Sequence, residues 1–196
     1  MNTVQEEIAA TAARMVVEDG LEYGPAKRRA VKQLGLNVRA QLPNNDQVED
    51  AVREYLDVFC ADTQPAELAA LRELAAVWMT RMAAFRPHLG GAVWRGTATA
   101  LSDIYLQLFC DDSKSAEISL IDHNVRYEVS TVQGFQGEAV DALSILCTCP
   151  GLDQKVLVHL MIYDLDDLRG ALKPDGQGRT QRGDLQALKR LMEKFK

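Results

Sequence analysis

Two adjacent glycines, Gly90 and Gly91, are followed after eleven residues by Asp103-Ile104-Tyr105-Leu106. Glycines in a turn let backbone N–H groups approach an anion without a Cβ in the way. On a strand, residues i and i+2 point to the same face. Two carboxylates at that spacing grip hard cations through oxygen. A pair of such cations serves displacement at phosphorus: one activates the attacking hydroxyl and the other stabilises the leaving pyrophosphate. Asp103 supplies a first carboxylate, but Tyr105 stands two residues on. A phenol, with an ordinary pKa of about 10, is a poor ligand for Mg²⁺ at neutral pH. A third carboxylate is expected from a neighbouring strand. Glu128, in Val125-Arg126-Tyr127-Glu128-Val129, is the candidate.

This order of parts resembles the DNA polymerase β-like nucleotidyltransferase superfamily over roughly residues 85–165. The motif residues are Leu89-Gly90-Gly91, Arg95-Gly96-Thr97-Ala98 and Ser102-Asp103-Ile104-Tyr105-Leu106. The resemblance implies that Gly90 and Gly91 cradle phosphate and that Arg95 steadies a triphosphate. It implies Asp103 and Glu128 as catalytic, metal-binding carboxylates for Mg²⁺, with a nucleoside triphosphate as the second ligand. Tyr105 departs from the pattern and takes a stacking or packing role at the nucleotide. The whole chain, through Asp167-Leu168-Arg169-Gly170, also resembles a bacterial family that supplies no activity to carry over.

Other chemistries find less support. His88, His123 and His159 are scattered without metal-ligand spacing. No Gly-x-Ser-x-Gly elbow and no Walker loop occurs. Cys147 and Cys149 share a strand face but lack the second pair of a zinc site. With Cys60 and Cys110 they read as reduced core thiols. Asp164, Asp166 and Asp167 suit an acidic helix N-terminus better than a calcium loop. Two basic groups stand out: Lys27, Arg28, Arg29 and Lys32 on one helix face, and Arg169, Lys173, Arg179 and Arg182 around a C-terminal loop. Each reads as solvated surface, with phosphate or partner binding as the sharper alternative.

The bulk numbers bound these readings. A chain of 196 residues with 47% hydrophobic and 26% charged residues is an ordinary globular composition. A net charge of −6 and a pI near 5.1 argue against a general nucleic-acid surface. The polar, acidic N-terminus does not look like a signal peptide, and no apolar run reaches membrane-spanning length, so a cytoplasmic protein is expected.

The elements that must position these residues fall into two regimes. Helical periodicity runs from the capping box Thr3–Glu6 to Arg86-Pro87, broken at Gly20, Gly35 and the Leu42–Asp46 loop. Pro65 opens a long helix, with Leu68, Leu71, Leu74, Ala75, Trp78 and Met82 on one face. Period-2 patterning then takes over. Strands are expected at 92–94, 103–110, 125–132, 140–147 and 155–163, short helices at 116–121 and 164–172, a loop over 173–183, and a last helix capped by Asp184. The predicted architecture is α+β: a helical N-terminal segment over 1–86, then a small mixed sheet flanked by helices over 87–196 with a nucleotidyltransferase-like core. The function expected from the missing ligand is a non-catalytic or weakly active scaffold that binds a nucleotide or a protein partner. An active Mg²⁺-dependent enzyme moving a nucleotidyl group to a hydroxyl is the alternative. The sequence leaves the oligomeric state open.

Overall fold

The computed structural model describes residues 3–37, 39–176 and 178–194. Helix α1 spans Thr3–Asp19 and stops where Gly20 turns to φ +68°, a conformation that costs glycine little. Helix α2 covers Tyr23–Gln33. Helix α3, Asn45–Phe59, begins with a reciprocal cap: the Gln47 N–H donates to the Asn44 side chain at 2.8 Å, and the Asn44 N–H donates to the Gln47 side chain at 2.7 Å. These three helices bury Ile8, Ala12, Ala30, Val48, Val52 and Leu56 in a core of their own. Their basic face is engaged locally: Lys27 donates to the Asn45 side chain, and Arg29 pairs with Asp19.

The chain divides into two compact units, one ending at Pro65 and the other beginning at Ala66. The change of unit therefore precedes the change of periodicity near residue 88. The reason lies in helix α4, Gln64–Arg81, whose Leu71, Ala75, Trp78 and Met79 are buried in the sheet's core rather than with α1–α3.

The second unit is built on a six-stranded mixed sheet: β1 His88–Gly90, β2 Ile104–Cys110, β3 Glu128–Gln133, β4 Ala139–Thr148, β5 Lys155–Asp164 and β6 Arg182–Gly183. Their spatial order is β3-β4-β5-β2-β1-β6. Strands β2 and β5 run parallel, and the other pairs are antiparallel. Alternation then decides the two faces. Ile104, Leu106 and Leu108 of β2 and Val158, Leu160 and Ile162 of β5 join α4, helix α6 (Ser115–Asp122) and helix α8 (Leu185–Glu193) in the main core. The opposite face carries Asp103, Tyr105, Gln107 and Phe109 with His159, Met161 and Tyr163. A second, smaller cluster of Phe109, Val140, Tyr163 and Ala171 covers one end of that face.

Several elements differ from the expectation. Residues 92–94 are not extended: Gly91–Arg95 form helix α5, because Gly91 at φ +67° turns the chain out of β1 and Gly96 at φ +85° ends the turn. Strand β3 starts at Glu128 rather than Val125. Within the loop expected over 173–183, Arg182 and Gly183 pair with β1 as a short strand; Gln177 of that loop lies outside the described residues. The stretch 164–172 is a 3₁₀ turn, Leu165–Asp167, followed by helix α7, Leu168–Ala171. Asp184 caps α8 as expected, accepting from the Ala187 N–H at 2.8 Å. The predicted α+β class is the class observed. No described helix is long and apolar enough to cross a membrane.

Candidate functional site

Register brings a continuous row of residues across the face of the sheet opposite the main core. Glu128 pairs with Ser144, Ser144 with His159, His159 with Tyr105, Tyr105 with Gly90 and Gly90 with Arg182. All paired residues of a ladder project to the same side. Gly90, Gly91, Asp103 and Tyr105 are therefore neighbours. A Cβ built on Gly91 would meet the Tyr105 ring at 3.4 Å. Only Gly91 needs to be glycine for its backbone. Gly90 is extended, and a Cβ there would meet nothing closer than 3.7 Å.

Glu128 does not join this group. It lies on the edge strand, three strand spacings from Tyr105, and is exposed. At a neighbour spacing of about 4.8 Å that is roughly 14 Å. The strand beside β2 places His159 at the matching position instead. Arg95 ends α5, at the opposite end of that helix from Gly91, and is half-buried.

Several contacts fix the loop that delivers Asp103. The buried Arg72 guanidinium donates to the carbonyls of Val93 at 3.1 Å and Trp94 at 3.3 Å, holding the C-terminal end of α5. Burial holds the Arg72 pKa below the usual arginine value. Glu67 accepts from the Ala100 N–H at 2.8 Å, the Ser102 hydroxyl accepts from the Thr99 N–H at 3.0 Å, and Gln154 donates to the Ala100 carbonyl. This turn sets Asp103 at the mouth of β2, with its side chain 37% exposed.

Asp103 is engaged from there. Its Oδ2 lies 3.2 Å from His159 Nε2, and His159 Nδ1 lies 2.8 Å from Ser144 Oγ. With the proton on Nε2, the imidazole donates to Asp103 and accepts from the Ser144 hydroxyl. The Tyr105 ring stacks on the His159 ring at 4.9 Å between centroids and 23° between planes. Ser144 and His159 do not emerge from sequence reasoning. Alternation places His159 away from the core run Val158–Leu160, a legible sign that it faces outward. Its meeting with Asp103, 56 positions away, depends on a parallel register that local pattern does not encode.

The metal expected at such a motif can be weighed against the donors present. The local set is one carboxylate, one imidazole and one phenol, a poor match to the oxygen-rich shell that Mg²⁺ prefers. Among the described residues no three His, Cys, Asp or Glu side chains come together to hold a metal. In the basic C-terminal loop, Arg179 pairs with Asp175 at 3.0 Å. Arg182 donates to the Ala171 carbonyl at 2.8 Å and lies 4.6 Å over the Phe135 ring. Both arginines are thus held by the fold. No protein-family model and no curated protein matches the chain.

Proposed function

We propose that this chain is a nucleotidyltransferase-like scaffold that binds a nucleotide at the Gly90–Gly91 and Asp103–Tyr105 end of the sheet without two-metal transfer. The reading is supported by one observation above all. The phosphate-loop pair and the first carboxylate stand together, while a tyrosine stacked on His159 occupies the place of the second. Gly90 brings its backbone to Tyr105 with no side chain between them, and Asp103, more than a third exposed, accepts hydrogen bonds from a ribose hydroxyl or a base N–H.

Thermal denaturation with each of the four ribonucleoside triphosphates, with and without Mg²⁺, tests this. Stabilisation that Gly90→Ala weakens, without pyrophosphate release, is expected. No shift with any triphosphate would sink it. Pyrophosphate release abolished by Asp103→Ala would favour the active, Mg²⁺-dependent enzyme instead.

A second reading rests on the Ser144–His159–Asp103 relay. In it, Ser144 Oγ attacks an ester carbonyl as its proton passes to His159 Nδ1. The C–O bond to the alcohol breaks, the imidazolium returns the proton to the leaving alkoxide, and water hydrolyses the acyl-serine. Asp103 orients the imidazole. A fluorophosphonate probe should label wild type and not Ser144→Ala; absence of labelling on the wild type ends this reading.

A further inference from the structure

On the opposite face of the sheet lies a cleft that none of these residues enters. It has a volume of about 390 Å³ and is lined by Trp78, Arg81, Met82, Leu120, His123 and Val125. A second hollow of about 340 Å³ adjoins it through Trp78, Arg81 and Val125, and brings in Arg126 and Cys147. In a chain of net charge −6, the two hollows are walled by two arginines and a histidine and, among the described residues, by no aspartate or glutamate.

The arginines come from different elements. Arg81 is the last residue of α4, and Arg126 lies between α6 and β3. Both are exposed, and neither makes an ion pair with a carboxylate among the described residues. Arg81 lies over the buried Trp78 ring, 5.0 Å from its centroid, which fixes its guanidinium at the cleft wall. A helix C-terminus accounts for one cation there. It does not account for a second on a separate loop, which lines the adjoining hollow with Arg81 and makes no ion pair among the described residues. Below the cations the floor is apolar: Met82 and Leu120 are 2% exposed.

From this arrangement we infer that the Trp78–Arg81–Arg126 cleft binds a small organic phosphate, its phosphate held between the two guanidiniums and its apolar body on Met82, Leu120 and Val125. Guanidinium forks match phosphate oxygens in pairs, and the volume suits a small molecule. The site is independent of the nucleotide reading, because Gly90, Gly91, Asp103, Tyr105, Ser144 and His159 line neither hollow.

The probe is 1-naphthyl phosphate, with inorganic phosphate and 1-naphthol as its two halves, followed through the indole N–H signals in ¹⁵N NMR. The chain has two tryptophans, and Trp94→Phe assigns them. The Trp78 signal should shift with 1-naphthyl phosphate and move at least tenfold less readily with either half alone. Arg81→Gln combined with Arg126→Gln should abolish the shift while the rest of the spectrum stays folded, and Asp103→Ala should leave it unchanged. Equal binding of 1-naphthol would show a merely greasy cleft and overturn the proposal. So would a silent Trp78 signal, or binding that survives loss of both arginines.

Discussion

Asp103 Oδ2 accepts from His159 Nε2 across the parallel β2–β5 pair, at 3.2 Å. The contact ties the residue just before β2 to the middle of β5 at a half-open surface. Because Asp103 is more than a third exposed, solvent screens it. Asp103→Asn should change stability by no more than about 1 kcal/mol in urea unfolding. The same variant should weaken nucleotide binding. A large loss of stability would make Asp103 a structural residue.

The glycine pair should split. Gly90→Ala has room for its methyl group. It should unfold at the wild-type urea midpoint, yet bind nucleotide less well if ligand lies against that backbone. Gly91→Ala forces an L-residue to φ +67° against the Tyr105 ring and should cost about 1–2 kcal/mol. Equal stability losses at both positions would contradict this assignment.

Arg72 is 5% exposed and serves two carbonyls at the end of α5. Arg72→Met keeps much of the volume but strands both carbonyls, at about 2–4 kcal/mol. Chemical denaturation measures that loss. A change within 0.5 kcal/mol, about the scatter of ordinary surface substitutions, would contradict the anchoring role.

Gly183 lies under the Trp94 ring, and a methyl group there would overlap the ring's outer edge. Gly183→Ala should cost about 1–3 kcal/mol through overpacking. In a Trp94→Leu background the added cost should shrink, as a double-mutant cycle reads directly. Additive losses would mean that the two residues act separately.

His88 gives a pH signature. It is 7% exposed, and burial holds its pKa below that of a free histidine, with the Arg86 carbonyl and Asp184 opposing the shift and Arg182 reinforcing it. Above the unfolded value, about 6.5, the imidazole is neutral in both states. As pH falls through that value, the unfolded chain takes up a proton that the buried ring resists, so stability falls. Urea midpoints at pH 7.5 and 5.5 should differ more for wild type than for His88→Gln. An identical pH dependence in the two proteins would remove His88 as the cause.

Much of this fold was legible in local pattern. The stripes of α1–α4, the Asp184 cap and the alternation of β2, β4 and β5 all follow from spacing. What was not legible depends on distance along the chain. Residues 92–94 read as extended because three apolar residues in a row fit a strand as well as a helical turn. The positive φ at Gly91 and the Arg72 anchor decide for the turn. Order in the sequence puts Glu128 beside Asp103, yet β4 and β5 intervene between its strand and β2. Ser144 and His159 enter the site only through registers that no window of a few residues contains.

The central claim is a nucleotide lying against Gly90, Asp103 and Tyr105 without a bridged metal pair. A crystal soaked with a non-hydrolysable triphosphate and Mn²⁺, with anomalous data at the manganese edge, decides it. The prediction is nucleotide density along that row with no two neighbouring manganese peaks. A bare sheet face, or a manganese pair at Asp103, would contradict it.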